Sequence, residues 1–146
     1  VFGTETIFDP YLVGLLVGDG TYGGTSPCIF NADEEITSYI ENNYDCVPFR
    51  KSHITKDGRV FKALRLRKVI THLRELGIQG QTGVNKRLPQ KIFSCTKEQC
   101  CELLAGLFDT DGCIRVGNKY GNRLPSTNAL ITTVSLNLAK DIRDLL

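Results

Sequence analysis

Asp19 and Asp111 each stand directly before a glycine at the end of an apolar run, and carboxylates are the side chains that hold hard divalent cations. The runs are Leu12-Val13-Gly14-Leu15-Leu16-Val17-Gly18-Asp19-Gly20 and Leu104-Ala105-Gly106-Leu107-Phe108-Asp109-Thr110-Asp111-Gly112. Ninety-two positions separate the two acids, a spacing suited to an internal duplication. If both runs are helices lying side by side in one direction, Asp19 and Asp111 meet at their C-terminal ends. Each acid there faces the negative end of a helix dipole and a second carboxylate, which is unfavourable unless cations bind between them.

The flanking residues supply what such helices need. Asp9 before Pro10 suits an N-cap followed by proline at the first helical position. Thr96-Lys97-Glu98-Gln99 reads as a capping box, with the threonine hydroxyl and glutamine amide satisfying each other's backbone donors. Gly20 and Gly112 read as stops in left-handed conformation. Both helix bodies are apolar almost all round, so they should be buried on more than one side. An interior glycine costs about 1 kcal/mol against alanine. Gly14 with Gly18, and Gly106 with Thr110, make flat faces on which two backbones can approach closely, which offsets that cost.

Between the runs, Thr21 to Asn31 reads as a short hairpin. Its glycines lack the lysine and preceding strand of a phosphate loop. Asp33 to Asn43 reads as a helix with Ile36, Tyr39 and Ile40 inward. Cys46 to Ser52 and Arg59 to Arg67 read as strands joined through Asp57-Gly58, with Val60, Leu64 and Leu66 on one face and Arg59, Arg65 and Arg67 on the other. Lys68 to Leu76 reads as an amphipathic helix stopped by Gly77, and 77–93 as a glycine-rich, basic linker holding Lys86. The second half repeats the order with a helix over 97–109, strands near 113–117 and 128–134, and a helix over 136–146. By analogy with the first half, two strands and a last helix are missing from it.

The net charge of +2 hides an asymmetry: twelve Lys/Arg and two acids lie between Arg50 and Lys91, leaving six basic residues against fourteen acids elsewhere. A basic sheet face suits a polyanion, and a β-ribbon fits the DNA major groove. The six cysteines lack zinc-site spacing and read as buried thiols, and His53 and His72 as surface or packing residues. With no spanning run and no leader, the chain is expected to be intracellular, cytoplasmic or nucleoid-associated, not secreted and without membrane contact.

The two nonapeptides, Lys86-Arg87-Leu88-Pro89 before the second of them, and Ile131-Thr132-Thr133-Val134-Ser135 with Leu138-Ala139-Lys140-Asp141-Ile142 after it, together resemble the LAGLIDADG homing endonucleases, in particular the two-repeat form of inteins. The resemblance spans roughly residues 9 to 146. It implies an α+β fold of two pseudo-symmetric αββαββ(α) repeats, 1–80 and an incomplete 95–146, joined by a basic linker over 81–94. The two motif helices would pack at the interface and antiparallel sheets would form a DNA-binding saddle. It implies a monomer with internal pseudo-dimer symmetry that cuts double-stranded DNA at a long site. Asp19 and Asp111 would ligate Mg²⁺, and Lys86 would polarise the phosphate or orient water. The DNA contacts expected are Arg50, Lys51, Arg59, Lys62, Arg65, Arg67 and Arg87. A host protein interrupted by an intein is a further expectation, although neither a splicing cysteine nor a splicing asparagine stands at the ends.

Two rivals remain. A catalytically inactive DNA- or RNA-binding module would keep the fold and lose an acid of the pair, and here both are present. Leu107 to Gly112 also resembles the nucleophile motif of haloacid dehalogenase-like phosphatases, which needs a buried strand before it; a capped helix is expected there instead.

Overall fold

The computed structural model describes residues 2–117 and 126–146. Helix α1 (Pro10–Asp19) begins as its sequence requires: the Asp9 carboxylate accepts from Leu12 N–H at 3.0 Å, and its other oxygen takes the Tyr39 hydroxyl at 2.7 Å. After it come β1 (Gly20–Thr21), β2 (Cys28–Asn31), α2 (Glu34–Asn43), β3 (Cys46–Pro48), β4 (His53–Ile54), β5 (Val60–Leu66) and α3 (Ile70–Glu75). The second half holds α4 (Lys97–Asp111), β6 (Gly112–Val116), β7 (Thr127–Ile131) and α5 (Leu136–Leu145). The class is α+β, and all of the sheets are antiparallel.

The first sheet runs β1-β2-β5-β3, with β4 also paired to β5. The single strand expected over 46–52 is split. Pro48 pairs with Leu64 but His53 pairs with Phe61, so residues 49–52 bulge opposite two residues of β5. Beyond the bulge the ribbon leaves the core, and Val60, expected inward, is exposed beside Ile54. Leu64 and Leu66 do point inward, against a core that completely buries Leu12, Val13, Leu15, Leu16 and Val17 of α1.

Four further expectations change. Gly20 and Gly112 end their helices extended (φ −84° and −89°), not left-handed. A β-carbon on Gly20 would collide with the Leu16 carbonyl, and one on Gly112 with the Phe108 carbonyl and ring, so close approach rather than positive φ excludes a side chain. The capping box is half formed. Gln99 N–H reaches Thr96 Oγ1 at 3.4 Å, but Gln99 Oε1 accepts from Ile7 N–H at 2.7 Å because the N-terminal segment runs alongside. The stretch 81–94 is packed and not a loose linker: it forms two 3₁₀ turns, Gly83–Asn85 and Gln90–Ser94, and buries Leu88 and Ile92. Of the cysteines, Cys28, Cys95 and Cys100 are buried, Cys46 is half-buried, and Cys101 and Cys113 are exposed; all six are free thiols.

Strands β6 and β7 pair only with each other among the described residues. On this two-stranded ribbon Ile114, Val116 and Leu130 are exposed. An apolar groove of about 740 Å³ opens between α4, β7 and α5, lined by Leu104, Phe108, Ile131, Ile142 and Leu146.

Candidate metal centre and nucleic-acid interface

The two motif helices touch backbone to backbone, through the glycines. A β-carbon on Gly14 would strike the Leu103 carbonyl and lie 2.8 Å from Leu107 N; one on Gly106 would strike the Tyr11 carbonyl and lie 2.9 Å from Leu15 N. These contacts are reciprocal, since 103 and 107 stand to 11 and 15 as 106 stands to 14. One level further on, Gly18 faces Thr110. Both helices therefore run the same way, and Asp19 and Asp111 end on the same side. The Asp111 carboxyl carbon lies 3.6 Å from the position a Gly18 β-carbon would take, one residue from Asp19.

Neither acid is fully solvated, and burial pushes both carboxyls above the ordinary aspartate range. The charge of Asp19 raises Asp111 further, while the Asn31 hydrogen bond and the Lys86 charge partly offset the rise at Asp19. Asn31 Nδ2 donates to Asp19 Oδ2 at 2.6 Å, and Asn31 Oδ1 accepts from Asp33 N–H at 2.6 Å, so the amide is fixed at both ends. The other Asp19 oxygen and both Asp111 oxygens accept no hydrogen bond among the described residues. Hard oxygens left open in this way fit a divalent cation. No cluster of three His, Cys, Asp or Glu forms among the described residues, so water and phosphate oxygens would have to complete the coordination.

Folding that raises a carboxyl pKa makes the folded state the better proton acceptor. The stabilisation linked to the group is full below the unfolded pKa of about 3.9 and is lost as pH rises through the folded value. Near neutral pH each acid therefore works against the fold. Asp19→Asn and Asp111→Asn should each raise the Tm there, by about 3 °C per kcal/mol released in a chain this size, and the gain should vanish below about pH 4. Thermal melts across this range check it; a lowered Tm at neutral pH in both variants would contradict it.

Lys86 reaches this end of the molecule. Its ammonium donates to the carbonyls of Val17 (2.7 Å), Gly18 (2.7 Å) and Gly20 (3.0 Å), using all three hydrogens. Carbonyls in the last turn of a helix lack partners of their own, and a cation there is favoured by the dipole. The Tyr22 ring lies 5.5 Å from the same nitrogen. Burial pulls the Lys86 pKa below its ordinary value, opposed by the charges of Asp111 and Asp19. At the end of α4 the arrangement differs: Thr110 Oγ1 bonds the Gly106 and Leu107 carbonyls, and Thr132 N–H bonds Asp111 O. Asp109 accepts from the Tyr11 hydroxyl at 2.8 Å, a packing role across the helix pair.

The basic residues fall into two groups. Lys62 is held by Glu41 at 2.7 Å, and Arg87 by Asp141 at 2.9 Å, so both expected DNA contacts are tied to the protein. Arg59 is paired with Asp57 at 2.6 Å, and Arg67 lies 3.9 Å from Asp45, both exposed. Arg50 and Lys51 are exposed at the bulge. The Arg65 guanidinium lies 4.5 Å from the Phe49 ring centroid and that of Arg50 5.4 Å, and Phe30 meets Phe49 edge-on at 6.3 Å. The outer face of the sheet is thus aromatic as well as cationic.

Sequence reasoning missed Asn31, Tyr22, Ser135, Asp141 and Phe49. Asn31 and Phe49 carried no signal beyond their place at strand ends, because what they touch is brought near only by the sheet. Asp141 could have been noticed as an acid on the inner face of an amphipathic helix.

Residues 98–146 match the family described as LAGLIDADG-like domain. Two curated proteins are also similar. A replicative DNA helicase DnaB of Rhodothermus marinus is 36% identical over 74 residues, which is 51% of this chain and 8% of the helicase. A replicative DNA helicase DnaB of Mycobacterium intracellulare is 32% identical over 113 residues, 77% of this chain and 16% of the helicase. The chain therefore spans only a small part of either relative. The haloacid dehalogenase reading fails, because α4 is helical through Asp111 where that chemistry needs a strand. Among the described residues no helix is long and apolar enough to cross a membrane.

Proposed function

We propose that this chain is part of a site-specific, double-strand DNA homing endonuclease of LAGLIDADG type, carried as an intein within a larger host protein. The observation that carries this reading is the pair of half-buried acids, Asp19 and Asp111, at the same end of two helices in backbone contact. Two pseudo-symmetric halves would meet at that seam, in one monomer, with their sheets as a saddle over the duplex. That a small stretch of each of two replicative helicases aligns with this chain suits an element inserted in such a host.

Asp19 and Asp111 would hold Mg²⁺, which when bound neutralises phosphate charge and activates water. The chain's own residues do the rest. Asn31 fixes one oxygen of Asp19 and so aims the other. Lys86 neutralises the carbonyl end of α1, lowering the cost of an anion there. Arg65 on β5, and Arg50 and Lys51 exposed at the bulge beside it, would meet phosphates and base edges of a long site. Incubating the host protein with a randomised duplex library and Mg²⁺ tests the reading. Paired strand breaks at one recurrent sequence are expected; binding without breaks would favour the inactive module. Full commitment of the Lys86 ammonium to carbonyls is the observation on that module's side.

Each phosphate contact removed should flatten the dependence of log affinity on log salt by about 0.9. Arg50→Ala and Lys51→Ala should each do so, whereas Lys62→Ala, with its ammonium on Glu41, should leave the slope unchanged. Fluorescence anisotropy titrations at several salt concentrations check this. An effect of Lys62→Ala as large as that of Lys51→Ala would reverse the assignment.

A further inference from the structure

We propose that Asp141, assisted by Ser135, is a positioning residue that sets Lys86 at the acid pair from the second half of the chain. Asp141 is 5% exposed and accepts three hydrogen bonds: Arg87 Nε (3.2 Å), Arg87 Nη2 (2.9 Å) and Leu88 N–H (3.1 Å). Ser135 Oγ, 1% exposed, donates to the Lys86 carbonyl at 2.6 Å and accepts from Leu138 N–H at 3.2 Å as the N-cap of α5. Three consecutive residues, 86, 87 and 88, are thereby bonded to one helix of the second half. From that clamp the Lys86 side chain crosses to the carbonyls of Val17, Gly18 and Gly20 in the first half.

A buried ion pair is weak grounds for stability, since apolar residues of the same volume often serve as well. What a bidentate carboxylate–guanidinium pair adds is direction. Leu88, 1% exposed, would anchor the segment by packing alone, but packing does not fix the register by which Lys86 rather than a neighbour faces α1. Only the importance of this placement for cleavage rests on the proposed function; the placement itself does not.

Proton–nitrogen correlation of lysine ammonium groups in ¹⁵N-labelled protein tests the clamp. An ammonium held by three carbonyls exchanges slowly, so Lys86 should give a resolved signal, identified by its loss in Lys86→Arg. In Asp141→Ala the signal should be lost while the backbone amide spectrum of α1 and α4 is retained. Asp141→Asn, equal in shape and unable to pair two guanidinium donors, should also lose it, which keeps the test valid if the alanine variant does not fold. Asp141→Glu should restore it in part. An unshifted Lys86 signal in Asp141→Asn overturns the proposal. Where Mg²⁺-dependent cleavage is measured, Asp141→Asn should slow turnover by about 10- to 100-fold with DNA affinity unchanged. Absence of cleavage by the unaltered protein would count against the proposed function, and the ammonium signal would still decide this proposal.

Discussion

Gly106→Ala should cost about 3 kcal/mol or more, and Gly14→Ala as much, a large part of the roughly 5–15 kcal/mol by which a domain is stable. Two effects oppose each other. Alanine is the better helix former by about 1 kcal/mol, and on a solvated helix that gain would appear as added stability. Here the added methyl group falls onto a backbone carbonyl, of Tyr11 for Gly106 and of Leu103 for Gly14. Neither carbonyl can swing away, because each belongs to the ladder of its own helix. The helices must separate instead, which loosens Leu15, Leu16, Leu103 and Leu107, all completely buried. Gly24→Ala is the control, with nothing within 4 Å of the new atom, and should be near neutral. Urea titrations of the three variants check the order. Equal stability of Gly106→Ala and Gly24→Ala would mean that the helices do not touch as described.

Asp19→Asn and Asp111→Asn should each abolish Mg²⁺-dependent cleavage, by about a thousandfold or more, equivalent to about 4 kcal/mol of transition-state stabilisation. Binding should stay within a few-fold, since removing a carboxylate from a surface that meets phosphates lowers repulsion. The same variants are expected to be more stable than the parent near neutral pH. Loss of turnover together with a raised Tm is the mark of groups retained for chemistry at the expense of the fold. Cleavage assays and melts on one preparation give both readouts. A variant that loses activity and stability together would place the acid in the framework.

How far the sequence could be read depended on whether the deciding contact was local. Asp9 with Pro10, Thr96 with Gln99 N–H, and Asp33 before α2 act within a single turn, and all three helix starts lie where the residues place them. The seam was legible because one residue type, glycine, serves it in both copies. The conformation of Gly20 and Gly112 was not, since close approach to the Leu16 and Phe108 carbonyls leaves no mark distinct from a left-handed cap. Charge patterning overstated the free cations. Lys62 and Arg87 look the same in sequence as Arg50 and Lys51, yet Glu41 and Asp141, 21 and 54 positions away, hold them. The split of 46–52 into β3 and β4 depends on register against β5, which no single stretch specifies.

The most direct test is a crystal of the protein with target DNA and Mn²⁺ in place of Mg²⁺, mapped by anomalous scattering. The expected result is manganese bound to oxygens of both Asp19 and Asp111, at the same end of α1 and α4 and against the DNA phosphates. Manganese elsewhere, or at neither acid while DNA lies across the sheet, would contradict a shared metal centre.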